Sequence, residues 1–127
     1  MIGNALRLRS TMKTRRGDAV LVLFPNSDLR TAKRRPALVL QRDNLASGLG
    51  QTIVAMISSN LTRRGHPSRI FVAVTSAEGR AAGIRLDSVV MTDNLATVLE
   101  SEIDSVLGHL PNMADVDAAL KHTLGLE

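Results

Sequence analysis

The chain has 127 residues, no cysteine, no Trp or Tyr, and Phe24 and Phe71 as its only aromatics. Its length suits one domain, whose core can bury roughly two-thirds of the unfolded surface without disulfides or metal staples. Disulfide frameworks, thiolate metal sites and cysteine nucleophiles are excluded outright. Two aromatics also argue against modules that stack several bases on aromatic rings. The net charge of +4 hides a gradient: residues 1–42 carry ten Lys/Arg against two acids, a balance of +8, residues 43–85 carry +3, and residues 86–127 carry −7. Such asymmetry points to a polyanion or an acidic partner on the basic part.

Residues 1–14 read as a flexible, basic N-terminal extension, in which Met12 would itself serve as a start. Ala19–Phe24 is a short run rich in Val and Leu, stopped by Pro25, and predicts a buried strand. Ala37–Gln41 predicts a second strand, opened by Pro36. Thr52–Ser58, Ile70–Thr75 and Ser88–Thr92 predict three more. The intervening stretches 25–34, 43–51, 60–69 and 76–86 carry Gly, Asn, Pro and Ser and read as loops. Ser101–Val106 predicts a short helix with Ser101 as its N-cap. From Pro111 onward Met113, Val116, Leu120 and Leu124 recur at helical spacing, up to a stop at Gly125. Phe24 and Phe71 both fall in apolar strands and are expected in the core. Five short strands with no long helix between them predict an antiparallel sheet or small barrel closed by a C-terminal helix.

The charge-free stretch 44–62 has nearly the length of a membrane span, but its Asn, Ser, Gln and Thr residues are too polar for a lipid-facing helix. With five Lys/Arg and no apolar run among the first 17 residues, a signal segment is not recognisable. The expectation is a soluble, cytoplasmic protein without a membrane partner.

His66, His109 and His122 share no ligand spacing and have no metal-type acid cluster beside them, so neither a metal nor a cofactor is expected. No nucleophile elbow, P-loop or dinucleotide turn is present. Arg16-Gly17-Asp18 reads as the start of a strand. Ser27-Asp28, Ser58-Ser59 and Asp93-Asn94 place polar groups at strand ends. The distinctive stretch is Arg30-Thr-Ala-Lys33-Arg34-Arg35-Pro36, where four basic residues lead straight into a buried strand. The proline that follows restricts Arg35 to extended backbone, so its guanidinium is held by rigid sheet. A planar fork of that kind suits phosphate.

The segment from Arg15 to Asp43, with its Gly-Asp strand, loop and Lys-Arg-Arg-Pro-Ala-Leu-Val strand, resembles the MazF/PemK toxin family of type II toxin–antitoxin systems. Thr52–Asn60 (TIVAMISSN), Ile84–Val98 (IRLDSVVMTDNLATV) and Val116–Leu126 (VDAALKHTLGL) are similar to three further family blocks, in order, so the resemblance covers 15–127 as one toxin domain. It implies an SH3-like small barrel with a C-terminal helix (α+β, mainly β) that forms a homodimer, cuts single-stranded RNA without a metal and is neutralised by an acidic antitoxin. It implies Arg35 and Ser58 as catalytic residues, with Ser59 able to stand in for Ser58. The RNA-contacting positions it implies are Asp28, Arg30, Lys33, Arg34, Ser59, Asn60, Asp93 and Asn94. The sequence departs from the common family pattern at Ser58 (often Thr), at Asn94 (often Gln) and in the loop 27–32, so the cleavage sequence does not transfer. Two readings stay open beside this one: an inactive member serving as an antitoxin-bound autorepressor subunit, and a gyrase poison that binds protein without chemistry.

Overall fold

A computed structural model describes residues 13–126, so residues 1–12, most of the expected N-terminal extension, lie outside the described residues. The strands are β1 (Asp18–Pro25), β2 (Ala32–Val39), β3 (Gln51–Ser58), β4 (Arg69–Val72), β5 (Ser88–Leu99) and β6 (Ile103–His109). Two helices accompany them, α1 (Ala77–Ala82) and α2 (Ala114–Leu124). All strand pairings are antiparallel, in one sheet of order β4-β5-β3-β2-β1-β6. This is the mainly-β fold with a closing helix that the strand pattern predicts.

Both faces of the sheet are apolar, because alternate residues of β1, β2, β3 and β5 feed two separate cores. One gathers Leu38, Leu40, Ala55, Ile57 and Val90 beneath Ala82 of α1 and Val116 of α2. The other gathers Val20, Val22, Phe24, Ala37, Val39, Val54, Met56, Val98 and Ile103, where the sheet curls on itself. That double burial explains why these strands read as continuous hydrophobic runs and not as alternating ones.

Five expectations need correction. β2 begins at Ala32, not Ala37, because Ala32–Arg35 pair with Val22–Pro25 of β1; the basic run is itself strand. β5 runs on to Leu99, and its β3 register jumps from Ala55–Leu95 to Met56–Met91, so Thr92, Asp93 and Asn94 bulge out of that ladder. Residues 100–106 are not a helix: a 3-10 turn, Glu100–Glu102, leads into β6, since the free edge of β1 takes up Ile103–His109 and outweighs the local helix signal. The stretch 76–86 holds α1, capped by the Ser76 hydroxyl accepting from Gly79 N–H at 2.9 Å and stopped by Gly83 at φ 71°. Phe71 is 42% exposed on edge strand β4 with the Arg64 guanidinium over its ring, whereas Phe24 is 1% exposed in the core.

The start of β1 is fixed by the Arg16-Gly17-Asp18 stretch. Gly17 has φ 95°, and a Cβ there would lie 2.8 Å from the Leu110 carbonyl. Its N–H donates to Val39 and its carbonyl accepts from Leu110 N–H. Buried Asp18 accepts from Arg15 N–H at 2.9 Å and pairs with His109 Nδ1 at 2.8 Å. Among the described residues no helix is long and apolar enough to cross a membrane.

Candidate functional site

The site is built by a proline. Leu40 N–H donates to the Ile53 carbonyl, so the even-numbered residues of β2 turn their peptide groups toward β3. Pro36 lies in that series and has no N–H to give. The β2–β3 ladder accordingly stops at Ala37–Met56. Continued by two positions, the same register sets Arg35 opposite Ser58. On either side of the interrupted ladder opens a groove of about 650 Å³, lined by Lys33, Arg34, Arg35, Ser58, Ser59 and Asn60 and by Arg63 and Arg85. Its apolar floor comes from Leu21, Met56, Ile57, Ile84 and Leu107.

Arg35 is half-buried on β2, paired with Val22 of β1, and donates from Nη2 to Asn26 Oδ1 at 3.0 Å. Ser58 is 5% exposed at the end of β3, and its hydroxyl accepts from Asn60 N–H at 3.1 Å. That leaves its proton to donate. Asn60 in turn accepts from Thr62 N–H and Thr62 Oγ1 and caps the 3-10 turn Leu61–Arg63, which carries Arg63 to the groove wall. Arg34 pairs with Asp104 at 2.7 Å. Among the described residues, Lys33, Arg35, Arg63 and Arg85 have no carboxylate within ion-pair distance, and no carboxylate lines the groove. The arrangement is a trough of cations beside the Ser58 and Ser59 hydroxyls and the Asn60 amide, suited to hold a phosphodiester.

Four predicted site residues lie elsewhere. Asp28 and Arg30 do not line the groove. Asp28 binds its own loop, accepting from Arg30 N–H and Thr31 N–H at 2.9 and 3.0 Å, and these bonds hold its carboxyl below the usual carboxylate range. Asp93, on the β5 bulge, pairs with Arg69 at 2.8 Å; the Arg69 hydrogen bond lowers the Asp93 carboxyl and raises the guanidinium. Asn94 turns inward and donates to the sulfur of Met56 at 3.1 Å. Conversely, no sequence motif marks Arg63 and Arg85, each of which stands far along the chain from the Arg-Pro stretch; only their contribution to the +3 of residues 43–85 hints at them. Among the described residues no three His, Asp or Glu side chains gather into a metal-binding group.

Comparison with known proteins follows the same lines. Endoribonuclease MazF6 of Mycobacterium tuberculosis is 34% identical over 107 residues, covering 82% of this chain and 90% of the relative; endoribonuclease MazF2 of Mycobacterium bovis matches to the same extent. The fold is shared with a solved mycobacterial endoribonuclease in complex with its cognate antitoxin, at TM-score 0.68 and 19% identity over 91% of this chain and 98% of that one. It is also shared with MazF from Deinococcus radiodurans, at TM-score 0.67 and 24% identity over 90% and 98%. The family model for PemK-like, MazF-like toxins of type II toxin–antitoxin systems matches residues 15–124. The chain belongs to that toxin family.

Proposed function

We propose that this toxin is a cytoplasmic endoribonuclease that cleaves single-stranded RNA by attack of the RNA's own 2′-OH on the adjacent phosphate. The observation that carries the reading is that Arg35 and Ser58 line one cationic groove free of carboxylates. In such a reaction the 2′-oxygen forms the new P–O bond, the 5′-oxygen leaves and takes up a proton, and the products are a 2′,3′-cyclic phosphate and a 5′-OH. The nucleophile belongs to the substrate, so the protein supplies position and charge. Arg35 binds the phosphate and stabilises the charge that grows on it, a role for which a guanidinium is far better suited than for taking a proton. The free Ser58 proton donates to a phosphate oxygen or orients the 2′-OH. Lys33, Arg34, Arg63 and Arg85 hold the flanking phosphates, and Ser59 and Asn60 meet base edges at the rim.

The active unit is read as a homodimer: Ile53 of β3 and Leu95 and Leu99 of β5 are exposed at register positions on one sheet face, an apolar strip that a second copy would cover. An acidic antitoxin is the partner that suits the basic groove, in keeping with the solved mycobacterial endoribonuclease in complex with its cognate antitoxin.

Purified protein incubated with mixed-sequence RNA in EDTA tests the reading. Fragments ending in 2′,3′-cyclic phosphate and 5′-OH are expected; intact RNA, or cleavage that needs added metal, overturns it. Sequencing the new 5′ ends then yields the cleavage sequence.

A further inference from the structure

The β1–β2 loop carries a directed chain of hydrogen bonds that ends on Arg35. An ionised Asp28 can only accept. It takes the N–H of Arg30 and of Thr31, and the Thr31 hydroxyl donates to its Oδ2 at 2.9 Å. That commits the one proton of the Thr31 hydroxyl. The bond between Thr31 Oγ1 and Asn26 Nδ2, 2.9 Å long, therefore runs from the amide to the hydroxyl. With its NH₂ end spent there, Asn26 turns its carbonyl Oδ1 to Arg35 Nη2 at 3.0 Å. Rotating the amide by half a turn would set acceptor against acceptor at Thr31 and donor against donor at Arg35. The loop that holds the chain is closed by Asn26 N–H donating to the Thr31 carbonyl and by the Pro25–Ala32 strand pair. Asn26, Asp28 and Thr31 all stand outside the groove lining.

We propose that Asn26 and Thr31 are positioning residues for the cleavage reaction: the Asp28–Thr31–Asn26 relay fixes the rotation of the Arg35 guanidinium, so that its remaining N–H groups meet the scissile phosphate in one orientation. The inference rests on the reading of Arg35 as the phosphate-binding group. A fork presents two parallel donors only at one setting of its plane, and holding that setting before substrate arrives removes an ordering cost from the reaction step.

The test compares Asn26→Ala, Thr31→Val, Thr31→Ser and the Asn26→Ala/Thr31→Val double variant with the wild-type chain on one RNA substrate. Asn26→Ala and Thr31→Val are expected to lower kcat about ten-fold, the worth of one charge-assisted hydrogen bond, with KM moved less than about two-fold. Thr31→Ser retains the hydroxyl and wild-type kcat. The double variant is no slower than Asn26→Ala alone, because both break one chain. Wild-type kcat in Asn26→Ala, or losses that multiply in the double variant, overturn the proposal. Nitrogen NMR of the Arg35 side chain reads the geometry without turnover: separate Nη signals are expected in the wild type and Thr31→Ser, averaged ones in Asn26→Ala and Thr31→Val. Averaged signals in the wild type overturn the relay whether or not the protein cuts RNA. Separate signals in a wild type that cuts nothing uphold the relay and remove the endoribonuclease reading instead.

Discussion

Arg35 and Ser58 line one groove, each two residues beyond the last β2–β3 pair, Ala37 and Met56. Each is anchored by a different neighbouring strand, Arg35 by Val22 of β1 and Ser58 by Val89 of β5. The two side chains thus meet a common groove from rigid elements, while Pro36 keeps β3 from closing over it. Fixed placement of this kind is what a reaction without a protein nucleophile requires, since geometry and charge are all the protein contributes.

Arg35→Ala is expected to lower kcat by about 10²–10³, the usual cost of removing a donor aimed at developing charge. Arg35→Lys restores little, because a point charge cannot reproduce the two-pronged contact. Steady-state cleavage checks the rates, and thermal melts close to wild type separate the effect from unfolding.

Ser58→Ala removes two things at once. The Asn60 N–H loses its acceptor, which costs about 1 kcal/mol of stability, and the groove loses a hydroxyl donor. Ser58→Thr keeps both and is expected to retain activity. Urea unfolding measured beside cleavage rates distinguishes the structural from the catalytic part.

Arg63 and Arg85 are predicted to act as phosphate contacts. Arg63→Ala and Arg85→Ala should each weaken RNA binding across all sequences and reduce the slope of log affinity against log salt by about 0.7, the value for one phosphate on a single strand. Binding titrations across a salt series measure this directly. An unchanged slope would remove that arginine from the contact set.

The Asp93–Arg69 pair makes a prediction about acid. The Arg69 guanidinium depresses the folded carboxyl of Asp93, so the pair's contribution is complete above the unfolded value of about 3.9 and fades as the pH falls through the lower, folded value. Between pH 5 and 8 it adds no slope to stability. A carboxyl NMR titration is expected to find Asp93 below the usual range in the wild type and shifted upward in Arg69→Gln. The variant should also lose less stability on acidification than the wild type.

Gly83→Ala is predicted to be severely destabilising. The residue sits at φ 71°, and a Cβ would lie 2.1 Å from the Leu107 carbonyl. The left-handed backbone alone costs about 1–2 kcal/mol, and the clash is with backbone that β6 holds in place. Since Gly83, Ile84 and Leu107 all border the groove, activity should fall with stability in denaturant melts.

Much of this architecture is written locally. The apolar runs of β1 and β3 and the Gly that stops α2 are signals within a few residues, and each is found where the sequence places it, whereas Pro36, read as a strand's opening residue, lies inside β2. The misreadings have a common origin in distant partners. Ala32–Arg35 look like a polar loop until β1 pairs with them. Ser101–Val106 look like a capped helix until β1 needs a second neighbour. Phe71 reads as core because its strand is apolar, but β4 is an edge strand and turns the ring outward beneath Arg64. In the site, the Arg-Pro stretch announced Arg35 and its neighbours, because one proline fixes their backbone. Arg63 and Arg85 arrive from loops whose direction depends on Asn60 capping and on α1, and no spacing rule connects them to Arg35.

The carboxylate-free groove also has a bearing on the stability of the protein. Lys33, Arg35, Arg63 and Arg85 line one groove with no carboxylate among them, and Asp104 pairs only with Arg34. A polyanion bound in the groove therefore gains an attraction that salt screens. By linkage, whatever occupies the groove also stabilises the fold, by an amount that grows with its concentration over its dissociation constant. An acidic partner and an RNA strand would then compete for one reservoir of free energy. Inhibiting this toxin and stabilising it would be a single physical event.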